Sequence, residues 1–146
     1  MSLKDEFSGA VANDLGEGVY RPGLQALERA DRGRVTLAKS RDCHGSANLD
    51  AALATSQPND PRWDYLVAHA ETLYFIEVHP AHTSAVEEMR QKLEWLKGWL
   101  RGKALERPES SEFHWIASGK LAILPQSRQM RRAARMGLEP KKHLRL

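Results

Sequence analysis

RWDYLVAHAETLYFIEVHPAH, residues 62–82, holds two runs rich in aromatic and β-branched side chains with a very short connection between them. That pattern predicts a β-hairpin over 63–69 and 72–78, although the turn lacks the usual Gly or Asn. An even loop at Ala70-Glu71 pairs Val67 with Tyr74, Tyr65 with Ile76 and Trp63 with Val78 on an apolar face. The other face then carries Leu66 opposite Phe75, Asp64 opposite Glu77 and Arg62 opposite His79. Facing Cβ atoms lie roughly 4.5–5.5 Å apart, where like charges are destabilising. Asp64 and Glu77 therefore need a cation between or beside them, or one must hold a proton. An odd loop would slip the register by one and turn Asp64 away.

Two readings of the acid pair stay open. In one, Arg62, diagonal to Glu77, neutralises the cluster as a solvated strand end. In the other, Asp64 and Glu77 hold a divalent ion. Carboxylate oxygens suit Mg²⁺, which keeps several waters and binds phosphate beside one or two carboxylates. Such an ion polarises a phosphoryl oxygen and activates water.

The surroundings read as mixed α and β. Residues 1–20 are polar and Gly-bearing and are expected to be loosely ordered. RPGLQALERADRG predicts a short helix, with Pro22 in its first turn and Gly33 at its end. RVTLA either extends that helix or leaves it, RDCHGSA suits a strand, and NLDAAL suits a helical turn capped by Asn48. SQPNDP is a loop. After Pro80, TSAVEEMRQKLEWLKGWLRG is the clearest helix, with a capping box from Ser84 and Glu87 and a stop at Gly102. Val86, Met89, Leu93, Leu96 and Leu100 form its apolar stripe. FHWIASGKLAIL suggests a second hairpin around Ser118-Gly119, SRQMRRAARMG a final helix capped by Ser127, and KHLRL a terminal edge strand. The expected fold class is α/β, a single domain over residues 1–146 with a mixed sheet flanked by helices.

An Asp at the start of one strand, a short hairpin, then Glu-x-(basic) and a helix resembles the PD-(D/E)XK nuclease superfamily. The matching residues are Arg62-Trp63-Asp64, then Glu77-Val78-His79, with the helix from Ser84 behind them. The order of helix, strands, helix and strand over residues 22–124 is similar to that family's restriction-endonuclease-like core. The resemblance implies that Asp64 and Glu77 hold Mg²⁺ or Mn²⁺, and that Asp64, Glu77 and His79 are the catalytic residues. It departs from the family at two positions: His79 stands where a lysine belongs, and Trp63 stands where the motif has proline. Neutral His79 would accept a proton from the attacking water. QKLEW is similar to the Gln-x-x-x-aromatic helix motif of exonuclease-like branches, with Gln91 and Trp95 in those places and Lys92 as a displaced lysine. An ordinary amphipathic helix explains the same three residues. Glu28 loosely matches a first-helix acid of the family.

Other combinations compete. Glu77, His79 and His82 form E-x-H-x-x-H, a zinc-like spacing, but Pro80 removes the regular element that would hold the two histidines convergent. Cys43 and His44 adjoin on an expected strand and so point to opposite faces. His69 and His114 are expected to be strand residues with local partners.

Charge is unevenly placed along the chain. Of 22 basic and 19 acidic side chains, seven and one fall in residues 127–146, the basic helix and tail. Arg128, Arg131, Arg132 and Arg135 share one helical face, with Met130, Ala133 and Ala134 on another. That ridge is either a solvated face or a contact for nucleic-acid phosphates, DNA or RNA, with nothing to mark base reading. At 41% hydrophobic and 28% charged the composition excludes wholesale disorder. One cysteine excludes an internal disulfide framework and suits a reducing compartment. The polar start and the absence of a long apolar run favour a cytoplasmic protein without a membrane partner; a homo-oligomer is left open. The sequence thus points to a metal-dependent nuclease, with a non-enzymatic nucleic-acid-binding or interaction protein on the same fold as the alternative.

Overall fold

A computed structural model of the chain describes residues 2–146. Helix α1 (Leu3–Leu15) opens it, with Leu3, Phe7 and Val11 buried at four-residue spacing. This corrects the expectation of loose order over residues 1–20. Ser8, Gly9 and Asn13 are weak helix formers, so the helix draws its stability from packing that apolar stripe rather than from propensity. Conversely, the helix expected from Pro22 shrinks to one turn, α2 (Arg29–Arg32). Gly23 takes a left-handed φ of 53°, and separate turns follow it, with Gln25 N–H donating to Pro22 O and Leu27 N–H to Leu24 O.

Strand β1 (Val35–Thr36) leaves the helix instead of extending it, and β2 (Cys43–Asn48) follows. The Asn48 side chain accepts Ala51 N–H at 2.9 Å and caps α3 (Leu49–Leu53). After the loop come β3 (Tyr65–His69), β4 (Thr72–His82), α4 (Ala85–Leu100), β5 (Ser111–Ala122), α5 (Arg128–Arg135) and β6 (Leu144–Arg145). All five stripe residues of α4 are buried. Its expected capping box does not form: Ser84 Oγ pairs with His82 Nδ1 at 2.9 Å, and Glu87 turns to Arg90 and Arg132.

Four strands form a mixed sheet in the order β2-β3-β4-β5, antiparallel until the parallel β4–β5 pair that α4 connects. The expected second hairpin is instead the single strand β5. His79 pairs with Ala117 and Ala81 with Leu121, so Ser118, Gly119 and Lys120 bulge out opposite Pro80. Proline has no N–H for the ladder, and a bulge absorbs the mismatch. The terminal strand β6 pairs in parallel with β1 as a separate two-stranded ribbon. One core cluster fills the sheet face under α1 and α4; a second, around Leu27, Val35, Tyr65, Ile76 and Ile116, lies on the opposite face. Trp63 joins the first cluster and meets Phe113 edge-on at 6.4 Å, not Val78 as the strand alternation had implied. The ordered strand begins only at Tyr65, so alternation does not reach Trp63. No helix among the described residues is long and apolar enough to cross a membrane.

The even hairpin loop is present, with Tyr65 opposite Ile76 and His69 opposite Thr72. Ala70 adopts a φ of 52° in it, a region that costs an L-residue with a Cβ about 1–2 kcal/mol. Ala70→Gly should relieve that strain and raise stability by up to about 1 kcal/mol after the entropy of glycine in the unfolded chain is counted. Urea unfolding of the two proteins checks this through the midpoint; a lower midpoint for the glycine variant would contradict it.

Candidate active site

The hairpin brings its two acids together through the backbone. Asp64 N–H donates to Glu77 Oε1 at 3.0 Å, and Val78 N–H donates to Asp64 Oδ2 at 3.0 Å. Each carboxylate thus holds an amide of the other strand, which fixes both side chains at the end of the pair. Glu77 is only 2% exposed. A charge so buried needs a partner of opposite sign.

That partner is Lys92 of α4. Its Nζ lies 3.0 Å from Glu77 Oε2 and donates to Arg62 O at 2.8 Å. Arg62, expected to neutralise Glu77, instead turns to Asp50 at 3.0 Å and to the carbonyls of Gln57 and Pro58. The cation comes from the helix because strand residues near Glu77 can only approach along the sheet, whereas α4 packs directly over its face. Lys92 thus points to the acids and not along an exposed helix face. The one trace of this in the sequence is a lysine inside the buried arc, between Met89 and Leu96.

His79 lies on the same face, with Nδ1 3.5 Å from Glu77 Oε2 and Nε2 3.0 Å from Glu88 Oε2. The hydrogen bond to Glu77 raises its pKa above the ordinary value, against the effect of burial. A ring held between two carboxylates favours the imidazolium form, which is the opposite of what a neutral general base requires. Asp64 is shifted up to about 7, chiefly by burial and then by the Glu77 charge, with the Val78 amide and Lys92 opposing.

The remaining candidates are dispersed. Among the described residues no group of three or more His, Cys, Asp and Glu side chains converges as a metal-ligand set, so Glu77, His79 and His82 make no zinc site. Cys43 has its thiol pushed up by burial, and His44 bonds Ala70 O at 2.8 Å, so those two do not form a nucleophilic pair. Glu28 caps α2, where its N–H donates to the Tyr65 hydroxyl on the opposite sheet face. His114 sits between Glu112 and Lys141. On α5, Arg132 pairs with Glu87 and ties that helix to α4, while Arg128, Arg131 and Arg135 are exposed. Glu88 was not foreseen; nothing in its sequence neighbourhood distinguishes it from other exposed helix acids. Comparison with protein families, with curated proteins and with solved structures finds no match.

Two outcomes test this geometry. Lys92→Met should lower stability by up to roughly 3–5 kcal/mol at neutral pH, because it takes the ammonium from the buried Glu77 charge and leaves His79, 3.5 Å away, as its one cationic neighbour. Adding Glu77→Gln should recover much of that loss in chemical denaturation. Asp64 gives a pH signature in metal-free buffer. A carboxyl raised from 3.8 to about 7 contributes stability fully below about pH 4 and loses it as pH rises through 7. Asp64→Asn should therefore be more stable than the natural chain at pH 8 by roughly 2–4 kcal/mol, and the gap should close near pH 4. A pH-independent difference would show that the carboxyl is not raised.

Proposed function

We propose that the chain is a divalent-metal-dependent phosphodiesterase acting on nucleic acid, built on the PD-(D/E)XK plan. The observation that carries this is Lys92: α4 delivers an ammonium to 3.0 Å from Glu77, next to Asp64. Two acids and a lysine thereby meet in space although the lysine is absent from its usual place in the sequence. The order β3, β4, α4, β5 supports the same reading, whereas the helix expected from Pro22 at the head of that core shrinks to the single turn α2.

The donor set fits Mg²⁺ or Mn²⁺. Asp64 and Glu77 would hold the ion as hard oxygen donors; Asp64 Oδ2 accepts the Val78 amide, while on Glu77 Oε1 accepts the Asp64 amide and Oε2 meets Lys92, which would have to share it. When bound, the ion supplies charge neutralisation at a phosphoryl oxygen. Lys92, fixed by Glu77 and Arg62 O, offers a positive charge toward negative charge that develops on phosphate. His79, fixed by Glu88 and with its imidazolium form favoured by Glu77, adds to that field when protonated rather than taking a proton from water. Exposed Arg128, Arg131 and Arg135 supply phosphate contacts at longer range.

A second reading, a non-catalytic nucleic-acid-binding protein, is favoured by the engagement of both Glu77 oxygens and by the missing third ligand. Calorimetry with Mn²⁺ and cleavage assays on duplex DNA, single-stranded DNA and RNA separate the two. The enzyme reading expects Mn²⁺ binding that disappears in Asp64→Ala and Glu77→Ala, and cleavage that Lys92→Met lowers on the order of 10²–10³-fold. Nucleic-acid binding with no cleavage of any of the three substrates, metal bound or not, supports the second reading and ends the first. The arginine contribution has its own measurement. Three phosphate contacts give a log-log salt slope of about −2.7 on duplex DNA, and replacing Arg128, Arg131 and Arg135 with Ala should remove about that much. An unchanged slope would take those arginines out of the interface.

A further inference from the structure

Gly98 lies inside α4 with no packing reason to be glycine. A Cβ built there meets nothing within 4 Å. Glycine in a helix interior costs roughly 1 kcal/mol relative to alanine, so the position forgoes stability for open space. That space is the floor of a groove of about 510 Å³, with Trp95 and Trp99 on the same helix face as Gly98. The two indoles stack at 6.3 Å with planes 22° apart. Gln57 and Gln91 complete the walls, and the charges at the rim, Arg90 and Glu94, are paired at 2.7 Å.

The groove and the acid–lysine site border the same loop. The loop before β3 walls both, since Gln57 Oε1 accepts Trp95 Nε1–H at 3.2 Å while Arg62 O accepts Lys92 Nζ–H at 2.8 Å. Trp95 follows Lys92 by three residues, an axial rise of about 4.5 Å on the helix. A ligand that places a phosphate at Lys92 therefore brings its neighbouring group to the indoles. The groove's internally paired charges suit a neutral, flat, hydrogen-bonding ring. Trp95 gives the stacking face, since Trp99 is 9% exposed with Lys103 Nζ 5.1 Å over its ring; the Gln57 amide NH₂ offers a donor, and the Gln91 carbonyl an acceptor.

We propose that the notch at Gly98 beside Trp95 binds a nucleobase of an unpaired strand, next to the phosphodiester held at Lys92. This assignment rests on the nuclease reading for the phosphate, and it adds that the substrate is single-stranded where it crosses α4. A base inside a duplex keeps its faces stacked on its neighbours and has none to offer the indoles.

The test is tryptophan fluorescence of the full chain in EDTA, titrated with a ten-nucleotide oligodeoxythymidylate and with an abasic deoxyribose-phosphate oligomer of equal length. The thymine oligomer should quench the emission and bind about 10-fold or more tighter than the abasic one, the scale of one stacked base. Trp95→Ala and Gly98→Leu should each remove that preference while thermal melts show both variants folded. Gly98→Ala, a smaller intrusion, should raise the melting temperature and retain part of the preference. Equal binding of the two oligomers, or an unchanged preference in folded Gly98→Leu, overturns the assignment. So does a change in self-association of Gly98→Leu, by light scattering, without a change in oligonucleotide preference, which would make the groove a contact between copies. Failure here with Mn²⁺-dependent cleavage intact removes only the groove. Base preference without cleavage removes only the nuclease.

Discussion

A carboxylate in the interior is the constraint around which this fold is arranged. Glu77 sits on β4 at 2% exposure, and its two oxygens meet the Asp64 amide and the Lys92 ammonium. A buried charge without such partners costs several kcal/mol. Satisfying it couples three elements that would otherwise be independent. The approach to β3 must bring Asp64 N–H to one side, α4 must lie close enough for a lysine to reach the other, and Arg62 must leave its carbonyl facing that lysine. The hairpin register, the height of the helix over the sheet and the path of the loop are thereby set together.

The charge balance that results is uneven. Two acids face one lysine at close range, and Asp64 is raised to about 7, first by burial and then by the Glu77 charge. Raised carboxyls of this kind occur at functional sites and in structural ion-pair networks alike. Farther out, His79 joins Glu88, and Glu87 joins Arg90 and Arg132, so the first turns of α4 are laced to β4 on one side and α5 on the other. The arginine-rich helix therefore divides its cations. Arg132 anchors α5 to the domain, and Arg128, Arg131 and Arg135 remain for solvent or phosphate.

Proline and glycine placements shape the rest. Pro80 breaks the ladder of β4, and β5 answers with a three-residue bulge where a turn had been expected from Ser118-Gly119. The same dipeptide signals a hairpin when both flanking runs pair with each other. Here they pair in succession with one long parallel neighbour, which local sequence does not reveal. Gly23 likewise ended a helix that the spacing of Leu24 and Leu27 had suggested.

Local pattern and capping residues were enough to locate the hairpin, the apolar stripe of α4, the Asn48 and Ser127 caps and the terminal edge strand, because each depends on residues within a few positions of one another, while the even loop was one of two registers left open. The facing of Asp64 and Glu77 followed from that register alone. Helix α1 was concealed because its stability comes from the sheet it packs on, and short polar residues dilute its stripe. The partner of Glu77 was the larger omission. Arg62 and Lys92 each lie fifteen positions from Glu77, yet the crossover helix placed the lysine over the sheet face and the loop drew the arginine to Asp50. The notch at Gly98 depends on the same packing, since a glycine in a helix becomes a groove only when a loop and two indoles wall it. Side-chain alternation and capping are local and can be read from the chain; which cation reaches a buried acid is decided by how a helix docks on a sheet, and only the tertiary structure contains that.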